Sequence, residues 1–294
     1  MHPLRWWRDP WRKPRLLEAL TWAYLAWSIL PVVIAAWFSF NAGRSRSTWQ
    51  GFSLRWYWQD PTLSVWHDPD LHRALLQTLR LATVATLVAV PLGVAFAIGI
   101  DRWRSRAAAA FSFQMLLSFV MPEIILGVAL LLVVTNLLTM VRLGTGAQLL
   151  GLITFQLSYP FVIVRARLLS IGREYEEAAM DLGASPAQAL RRVLLPLLAP
   201  AVLASAVLVF ADVVDDFVIV RYLSSDVASE PMSVKIYTGA RSSPTPALNA
   251  LATVMLVSSL VAALLGYLLY RHLTRGERRE GEGASGIRDL AEQL

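Results

Sequence analysis

Residues 174–200 read EYEEAAMDLGASPAQALRRVLLPLLAP, a polar segment set between long apolar runs. It holds four carboxylates and two arginines. The whole chain of 294 residues is 56% hydrophobic and only 16% charged, with a mean hydropathy of +0.50. Soluble domains average about 25% charged residues. The composition therefore predicts a membrane protein, in which this segment is a polar interruption between two spans.

Residues that end and begin helices divide this segment into two short helices. Gly183 suits the left-handed position that ends a helix. Ser185 and Pro186 suit the N-cap and the first helical position, and Gln188 completes a capping box. The predicted helices are Glu174–Leu182 and Ala187–Leu195, the second stopped by Pro196.

The first of these helices is acidic and has a small apolar face. Glu176 and Glu177 lie near its start, and Ala178, Ala179 and Leu182 form the apolar side. Phosphate contacts need cations, so the acidic residues exclude a helix-turn-helix that binds DNA. Periodicity alone also allows the alternative that this segment is an amphipathic helix on the membrane surface.

Six apolar runs are long enough to cross a bilayer, which takes about 20 residues. Pro122 is expected to bend the third. The expected fold is all-α and polytopic, with a basic segment at 1–15, a transmembrane domain over 16–272 that includes the polar loop 173–196, and a loose polar tail at 273–294. The predicted spans are Leu17–Phe40, Thr78–Ile100, Ala109–Leu138, Ala147–Val164, Leu198–Val220 and Leu248–Tyr270.

The distribution of Lys and Arg predicts the orientation of the spans. Of the 27 such residues, 18 flank the side that carries both termini and the 173–196 loop. This side is expected to be cytoplasmic, and the net charge of +6 then needs no nucleic acid to explain it. The N-terminal segment contains Trp6, Trp7 and Trp11 among arginines, which indicates either a segment at the lipid headgroups or a disordered tail. The first span is too long for a cleavable signal peptide.

The residue inventory excludes several kinds of site. The chain has no Cys, and its four His residues are scattered, so we expect no disulfide and no metal site. It contains no Gly-Lys pair and therefore no P-loop. No nucleophile–base pair indicates a membrane enzyme. A secondary transporter driven by an ion gradient would predict inverted repeats, and the sequence does not display them.

The order Glu177-Ala178-Ala179, then Gly183, then Leu195-Pro196 resembles the EAA loop of ABC importer permeases. In that family the loop forms coupling helices that dock on a separate ATPase subunit. The resemblance implies a type I ABC importer permease fold, with these six residues at the ATPase contact. It also implies that a partner ATPase dimer binds ATP and Mg²⁺, while this chain needs no cofactor.

Further segments are similar to the second permease of spermidine/putrescine importers. They are SFNAGRSRSTWQGFSLRWYWQD, MPEIILGVALLLV, VVDDFVIV and SVKIYTGARSSPTPALNALATVMLV. The likeness covers about residues 16 to 272. It implies a bacterial inner-membrane location, a sister permease, and a substrate-binding protein that contacts Ser45–Asp60 and Arg221–Pro246 from outside. Permeases for ferric iron, opines and aminophosphonates share much of this pattern and remain alternatives.

Carboxylates inside the predicted spans indicate a cationic substrate. Asp212, Asp215 and Asp216 are spaced to lie near one face of the fifth span, and Glu123 follows the proline of the third. A charge at the bilayer centre costs about 2.5–3.5 kcal/mol on insertion scales, and no Lys or Arg lies at matching depth. A passing ammonium group would compensate these charges, with cation–π contact to a ring such as Phe217. Helices of the sister permease are the alternative partner.

Overall fold

A computed structural model describes residues 15–45, 48–102, 105–242 and 245–291, with side chains from 16 to 272. The predicted basic segment at 1–15, apart from its last residue, lies outside this part of the chain, as do residues 292–294. Within the described part the fold is all-α. Its β-type pairing is confined to one isolated bridge between Asn41 and Phe52.

The described residues form twelve α-helices, interrupted by short turns of other helical types. The α-helices are α1 Arg15–Phe38, α2 Pro69–Arg102, α3 Arg106–Val120, α4 Glu123–Asn136, α5 Thr145–Gln156, α6 Ser158–Ile171, α7 Glu174–Asp181, α8 Pro186–Ala189, α9 Leu195–Asp215, α10 Val218–Leu223, α11 Met232–Ser242 and α12 Pro246–Ala291. Two π-helical turns span Arg55–Gln59 and Leu190–Leu194, and a 3₁₀ turn spans Val227–Ser229.

Five helical segments of the described chain are long and apolar enough to cross a membrane, or six if α3 and α4 count as one broken span. The chain bends by 112° between these two helices. Met121 and Pro122 between them are extended, with ψ of 134° and 126°. For Met121 this is expected, because a residue before proline avoids the α conformation. The bend predicted at Pro122 is confirmed and amounts to a sharp break. The five segments that could each cross the membrane on their own are Leu16–Phe38, Pro69–Arg102, Thr145–Ile171, Pro186–Asp215 and Pro246–His272.

The prediction that Pro196 stops the second short helix is wrong. A continuous helix runs over Pro186–Asp215, and Leu190–Leu194 within it is a π-helical turn. In an α-helix, proline lacks a donor and its ring clashes with the carbonyl four residues back. The π turn, in which the N–H of Leu195 bonds five residues back, widens the helix where that carbonyl lies, so the helix continues past Pro196.

The predicted fifth span ends earlier than expected. α9 stops at Asp215, and Asp216 is extended, with φ −55° and ψ 126°. The three aspartates therefore do not share one helical face, because Asp216 has left the helix. Its carboxylate accepts the N–H of Val220 at 3.1 Å. This bond satisfies a free donor at the start of α10 and gives a physical reason for the break.

The last helix extends further than the sequence predicts. α12 continues to Ala291, through a segment for which we expect a loose polar tail. Arg, Glu and Ala in this segment favour helix, and elongating an existing helix avoids the cost of nucleating one. The backbone therefore continues the final apolar segment as one helix.

The chain divides into two compact units by internal contacts. The first comprises the residues up to Asp68 together with Gly239–Thr253, and the second comprises Pro69–Thr238 together with the residues from Val254 onward. Within the second unit, the core forms where α2, α5, α6 and α9 pack against one another. Its fully buried side chains include Leu81, Leu152, Phe161, Val164 and Leu198.

The loop after α1, in the first unit, is ordered by buried polar groups. Asp60 is 4% exposed and its Oδ1 accepts the N–H of Thr62 at 3.1 Å and that of Leu63 at 3.0 Å. Arg55 forms an ion pair with it at 2.7 Å. The two backbone N–H groups and the Arg55 guanidinium together hold the pKa of Asp60 well below its usual range, so this carboxylate stays ionised.

The variant Gly93→Val is expected to destabilise the fold by about 1–3 kcal/mol, the usual cost of overpacking. A Cβ at Gly93 on α2 would meet the ring of Pro160 and would lie 3.0 Å from the carbonyl oxygen of Leu157. A proline ring and a backbone carbonyl cannot turn aside. The matched control is Gly99→Val on the same helix, where nothing lies within 4 Å. Thermal unfolding of the purified protein tests this: equal losses in both variants would contradict the close approach of α2 and α6.

Candidate functional site

The polar segment at 174–200 forms the predicted pair of helices, and the first ends as its glycine predicts. Gly183 has a φ of +89°, in the left-handed region that glycine adopts without strain. Its N–H bonds to the carbonyl of Met180 at 2.9 Å, and the N–H of Ala184 bonds to that of Ala179 at 3.0 Å. These two bonds make a Schellman motif, so the end of α7 is a defined turn.

The second helix begins with the predicted capping box. The N–H of Gln188 donates to the Ser185 hydroxyl at 3.3 Å, and the N–H of Ser185 donates to Oε1 of Gln188 at 2.9 Å. Pro186 occupies the first helical position. The two helices are thus joined by a turn that is fixed on both sides.

Much of the surface of α7 is exposed. None of its residues is buried, and Leu182, just beyond its end, is 91% exposed. Exposed apolar side chains on a fixed surface mark sites of protein contact. A cavity of about 210 Å³ lies beside α7, lined by Arg102, Arg173, Glu176, Glu177, Met180, Pro186 and Ala189.

Two ion pairs connect α7 to the end of α2. Arg102 pairs with Glu176, and Arg173 pairs with Asp101 at 3.2 Å. The Arg173 guanidinium also donates to the carbonyl of Asp101 at 2.7 Å. The two pairs run in opposite directions, since α2 supplies the cation of one and the anion of the other. They hold α7 in one orientation against α2, although a partly exposed pair is worth only about 0.2–1 kcal/mol.

Breaking the Arg102–Glu176 ion pair is expected to lower the protection of α7 from amide exchange, and exchanging the two partners is expected to restore it. The variant Arg102→Glu places like charges together, so amide exchange in α7 should rise by up to about fivefold, the equivalent of about 1 kcal/mol. The double variant Arg102→Glu with Glu176→Arg should return exchange close to the wild-type rate. The control is Arg192→Glu, an exposed cation that forms no ion pair within the described part of the chain. Hydrogen exchange read by mass spectrometry measures all three, and a double variant no better than Arg102→Glu would contradict the pairing.

The six residues of the EAA-like pattern occupy two places. Glu177, Ala178 and Gly183 are exposed on α7 and its turn, and Ala179 is half-buried. The other two, Leu195 and Pro196, are exposed at the start of α9, directly after the π turn against which α7 packs.

Two of the four predicted pathway acids lie on separate helices. Glu123 is half-buried as the first residue of α4, where the helix N-terminus favours a negative charge. Asp212 on α9 accepts a bond from Nε2 of Gln156 at 2.7 Å. Glu123 lies within electrostatic range of Asp212 and Asp215, so the fold brings these acids toward one region.

Asp216 is the most enclosed of the four acids. It is 6% exposed, and its Oδ2 is buried without a hydrogen-bond partner in the described part of the chain. The hydroxyl of Ser233 donates to its backbone carbonyl at 2.6 Å. Asp215, by contrast, is exposed, although it lies within electrostatic range of Glu123 and Asp212. The predicted aromatic neighbour Phe217 packs on Tyr237 with ring centroids 4.7 Å apart.

The charge of this region is one-sided. Asp216 lies within electrostatic range of Glu123 and Asp212, and Tyr159 lies within range of all three. Among the described residues no Lys or Arg forms an ion pair with any of the four acids. Carboxylates gathered at membrane depth are costly unless a cation compensates them. The region is suited to binding positive charge.

Sequence reasoning missed two polar residues of this region. Gln156 is fully buried, and its Oε1 has no hydrogen-bond partner within the described chain. An amide inside an apolar helix is a signal that could have revealed it. Ser233 has no such signal, because its bond to Asp216 depends on how α11 packs. The described residues contain no group of three or more His, Asp or Glu arranged to hold a metal ion.

Comparison with known proteins gives a family match and full-length relatives. Residues 89–279 match the family model "Binding-protein-dependent transport system inner membrane component". The chain is 32% identical to the spermidine/putrescine transport system permease protein PotC of Haemophilus influenzae, over 87% of this chain and 96% of that protein. It is 30% identical to the putrescine transport system permease protein PotI of Escherichia coli (strain K12), over 96% of this chain and 95% of that protein.

A solved structure of much lower sequence identity shows the fold. A bacterial ABC transporter involved in the import of the acidic polysaccharide alginate contains a chain with a TM-score of 0.71 and 18% identity. The likeness covers 92% of this chain and 99% of that one. The expected permease fold of ABC importers is confirmed.

Proposed function

Because the chain belongs to the family of binding-protein-dependent transport system inner membrane components, we propose that it is one of two permease subunits of an ATP-driven polyamine importer. It is a multi-pass inner-membrane protein and does no chemistry of its own. A sister permease completes the pathway, a separate ATPase dimer binds ATP and Mg²⁺, and an extracytoplasmic binding protein delivers the substrate. Similarity to PotC and PotI supports spermidine or putrescine as the substrate.

We infer a cationic substrate chiefly from one atom, the buried Oδ2 of Asp216. This oxygen has no hydrogen-bond partner in the described chain. Glu123 and Asp212 add negative charge within electrostatic range. A primary or secondary ammonium group donates several hydrogen bonds and carries the compensating charge. Rings such as Phe217 and Tyr159 can add cation–π contact. An anionic substrate would be repelled by the same groups.

The fold alone does not select the substrate. The alginate transporter has the same fold, and its substrate is an acidic polysaccharide. The argument for a polycation therefore rests on the acidic side chains and on the similarity to polyamine permeases. Permeases for ferric iron, opines and aminophosphonates remain the alternatives that an experiment must separate.

One helix connects the proposed ATPase contact to the acidic region. The helix from Pro186 to Asp215 has 30 residues, a length of about 45 Å at 1.5 Å per residue. It begins at the turn after α7 and carries Asp212 near its far end. Displacement of α7 by the ATPase would therefore be passed directly to the substrate region. The π turn Leu190–Leu194 is a natural position for flexing in this movement.

The proposed orientation follows the distribution of basic residues. Both termini and the loop 173–196 face the cytoplasm, where the ATPase would dock at Glu177, Ala178, Ala179 and Gly183. The loop Arg221–Pro246 faces the binding protein, and the loop Ser45–Asp60 lies on the same outer side of the membrane. The transmembrane domain comprises residues 16–272, with short polar segments before and after it.

Stimulation of ATP hydrolysis tests this function. The complex with its ATPase, sister permease and binding protein is reconstituted in liposomes. The binding protein is supplied empty or with putrescine, spermidine, ferric iron or sulfate. Hydrolysis should rise with a polyamine and stay basal with sulfate. Stimulation by iron alone would overturn the polyamine assignment and leave the importer assignment standing. Failure of the ATPase to associate would overturn both.

A further inference from the structure

The loop between α1 and α2 holds a set of aromatic rings that begins on α1 itself. Trp37, in the last turn of α1, has its ring centroid 5.3 Å from that of Trp49. Phe40, just beyond α1, stacks on Phe52 at 5.4 Å and contacts Tyr57 at 5.3 Å. We name this set the exit cluster; its members are Trp37, Phe40, Trp49, Phe52, Tyr57 and Trp58. The rings thus form two groups near the end of a membrane span, Trp37 with Trp49 and Phe40 with Phe52, Tyr57 and Trp58.

The outer rings of the exit cluster are uncovered but held in place. Phe52 is 71% exposed, Trp58 55% and Trp49 39%. Behind them, Trp56 is 0% exposed, and its indole N–H donates to the carbonyl of Asn41 at 2.6 Å. Fixed rings with open faces lose little conformational freedom when another surface covers them.

The same segment carries a net positive charge. Residues 37–59 contain three Arg and no Asp or Glu, and the next residue, Asp60, pairs with only one of them, Arg55. Arg44 is exposed, and the guanidinium of Arg55 lies over the ring of Trp56 at 5.2 Å. Trp and Tyr rings beside cations are typical of protein segments at the level of lipid headgroups, and Arg is drawn to anionic lipids.

We propose that residues 37–45 and 48–58 lie on the bilayer surface where α1 ends, with Trp49, Phe52 and Trp58 inserted among phospholipid headgroups. The exit cluster continues the surface of α1, of which this chain buries none over the apolar window. The contact between Trp37 and Trp49 prevents the loop from rising far above that level. The segment anchors the first span at a fixed depth, whatever substrate the importer carries.

The absence of cysteine from the chain allows a direct test of depth. Single nitroxide labels are placed by Phe52→Cys and Trp58→Cys, one at a time, so that the remaining rings stay. The assembled importer is reconstituted in liposomes of phosphatidylethanolamine and phosphatidylglycerol in equal amounts. Collision rates with oxygen, which concentrates in lipid, and with a water-soluble nickel chelate are measured. Trp27→Cys, exposed in the middle of α1, is the lipid reference, and Val227→Cys in the polar loop 224–230 is the water reference.

The expected ratio of oxygen to nickel collisions at Phe52 and Trp58 lies between the two references and severalfold above that of Val227. Adding the binding protein should leave the collision rates at Phe52 and Trp58 unchanged, and the Val227 reference is measured without it. A ratio equal to that of Val227 would overturn the proposal in favour of a water-facing loop. Low collision rates with both reagents, or immobilisation of the labels by the binding protein, would overturn it in favour of a protein contact. Loss of assembly in one variant leaves the other label to decide.

Discussion

The variant Gly183→Val is expected to lower ATP-driven uptake about five- to thirtyfold while the chain still inserts into the membrane. Gly183 has a φ of +89°, and a left-handed backbone costs an L-residue with a Cβ about 1–2 kcal/mol, which corresponds to that factor. The strain opens the two Schellman bonds that end α7. The proposed ATPase contact then loses its fixed orientation, and uptake of substrate per ATP hydrolysed should fall.

The matched control for this variant is Gly183→Asn. Asparagine tolerates the left-handed conformation far better than a β-branched residue. Nothing lies within 4 Å of a Cβ at this position, so neither side chain meets a steric obstacle. Gly183→Asn should keep most of the uptake. Equal activity of the Val and Asn variants would show that the turn does not matter to coupling.

The variant Asp216→Asn is expected to weaken transport of a polycation about ten- to a hundredfold in apparent affinity. A hydrogen bond to a charged group contributes about 1.5–3 kcal/mol, and about 1.4 kcal/mol is a factor of ten. Asparagine keeps the carbonyl oxygen that accepts the N–H of Val220, so the start of α10 stays capped. At the position of the enclosed Oδ2, a charged acceptor is replaced by a neutral NH2 donor.

Two measurements separate substrate contact from a structural role of Asp216. The first is the yield of complex with the sister permease and ATPase, which should be unchanged. The second is uptake as a function of substrate concentration, where the KM should rise more than the maximal rate falls. Glu18→Gln, which removes an exposed carboxylate at the other end of the chain, controls for net charge. Loss of assembly in parallel with uptake would mean that Asp216 bonds to a helix of the sister permease instead.

Features set by local chemistry could be predicted from the sequence. The end of α7 at Gly183 and the capping box of Ser185 and Gln188 depend on neighbouring residues alone, and both form as predicted. The break at Pro122 follows from the conformational limits of proline and of the residue before it. The helix end predicted at Pro196 did not form, because the π turn before it makes room for the proline ring. No local sequence pattern predicts this π turn.

Features set by packing between distant segments could not be predicted. Gln156 and Asp212 are 56 residues apart in sequence, and Ser233 bonds to Asp216 from 17 residues away. Helical spacing alone placed Asp216 on the same face as Asp212. Its carboxylate instead caps α10 through the N–H of Val220, four residues further on, and the residue leaves the helix. The residue types therefore predicted an acidic region, but they did not predict its geometry.

Uptake into proteoliposomes decides between an ATP-driven polycation importer and its rivals. The assembled complex is reconstituted with ATP on the side of the ATPase and with binding protein on the other. Radiolabelled spermidine or putrescine is supplied with the binding protein. Accumulation that requires hydrolysable ATP, persists after ionophores remove all ion gradients, and is absent for labelled sulfate is the predicted result. Accumulation that follows an ion gradient and ignores ATP, or that occurs with sulfate and not with a polyamine, would contradict it.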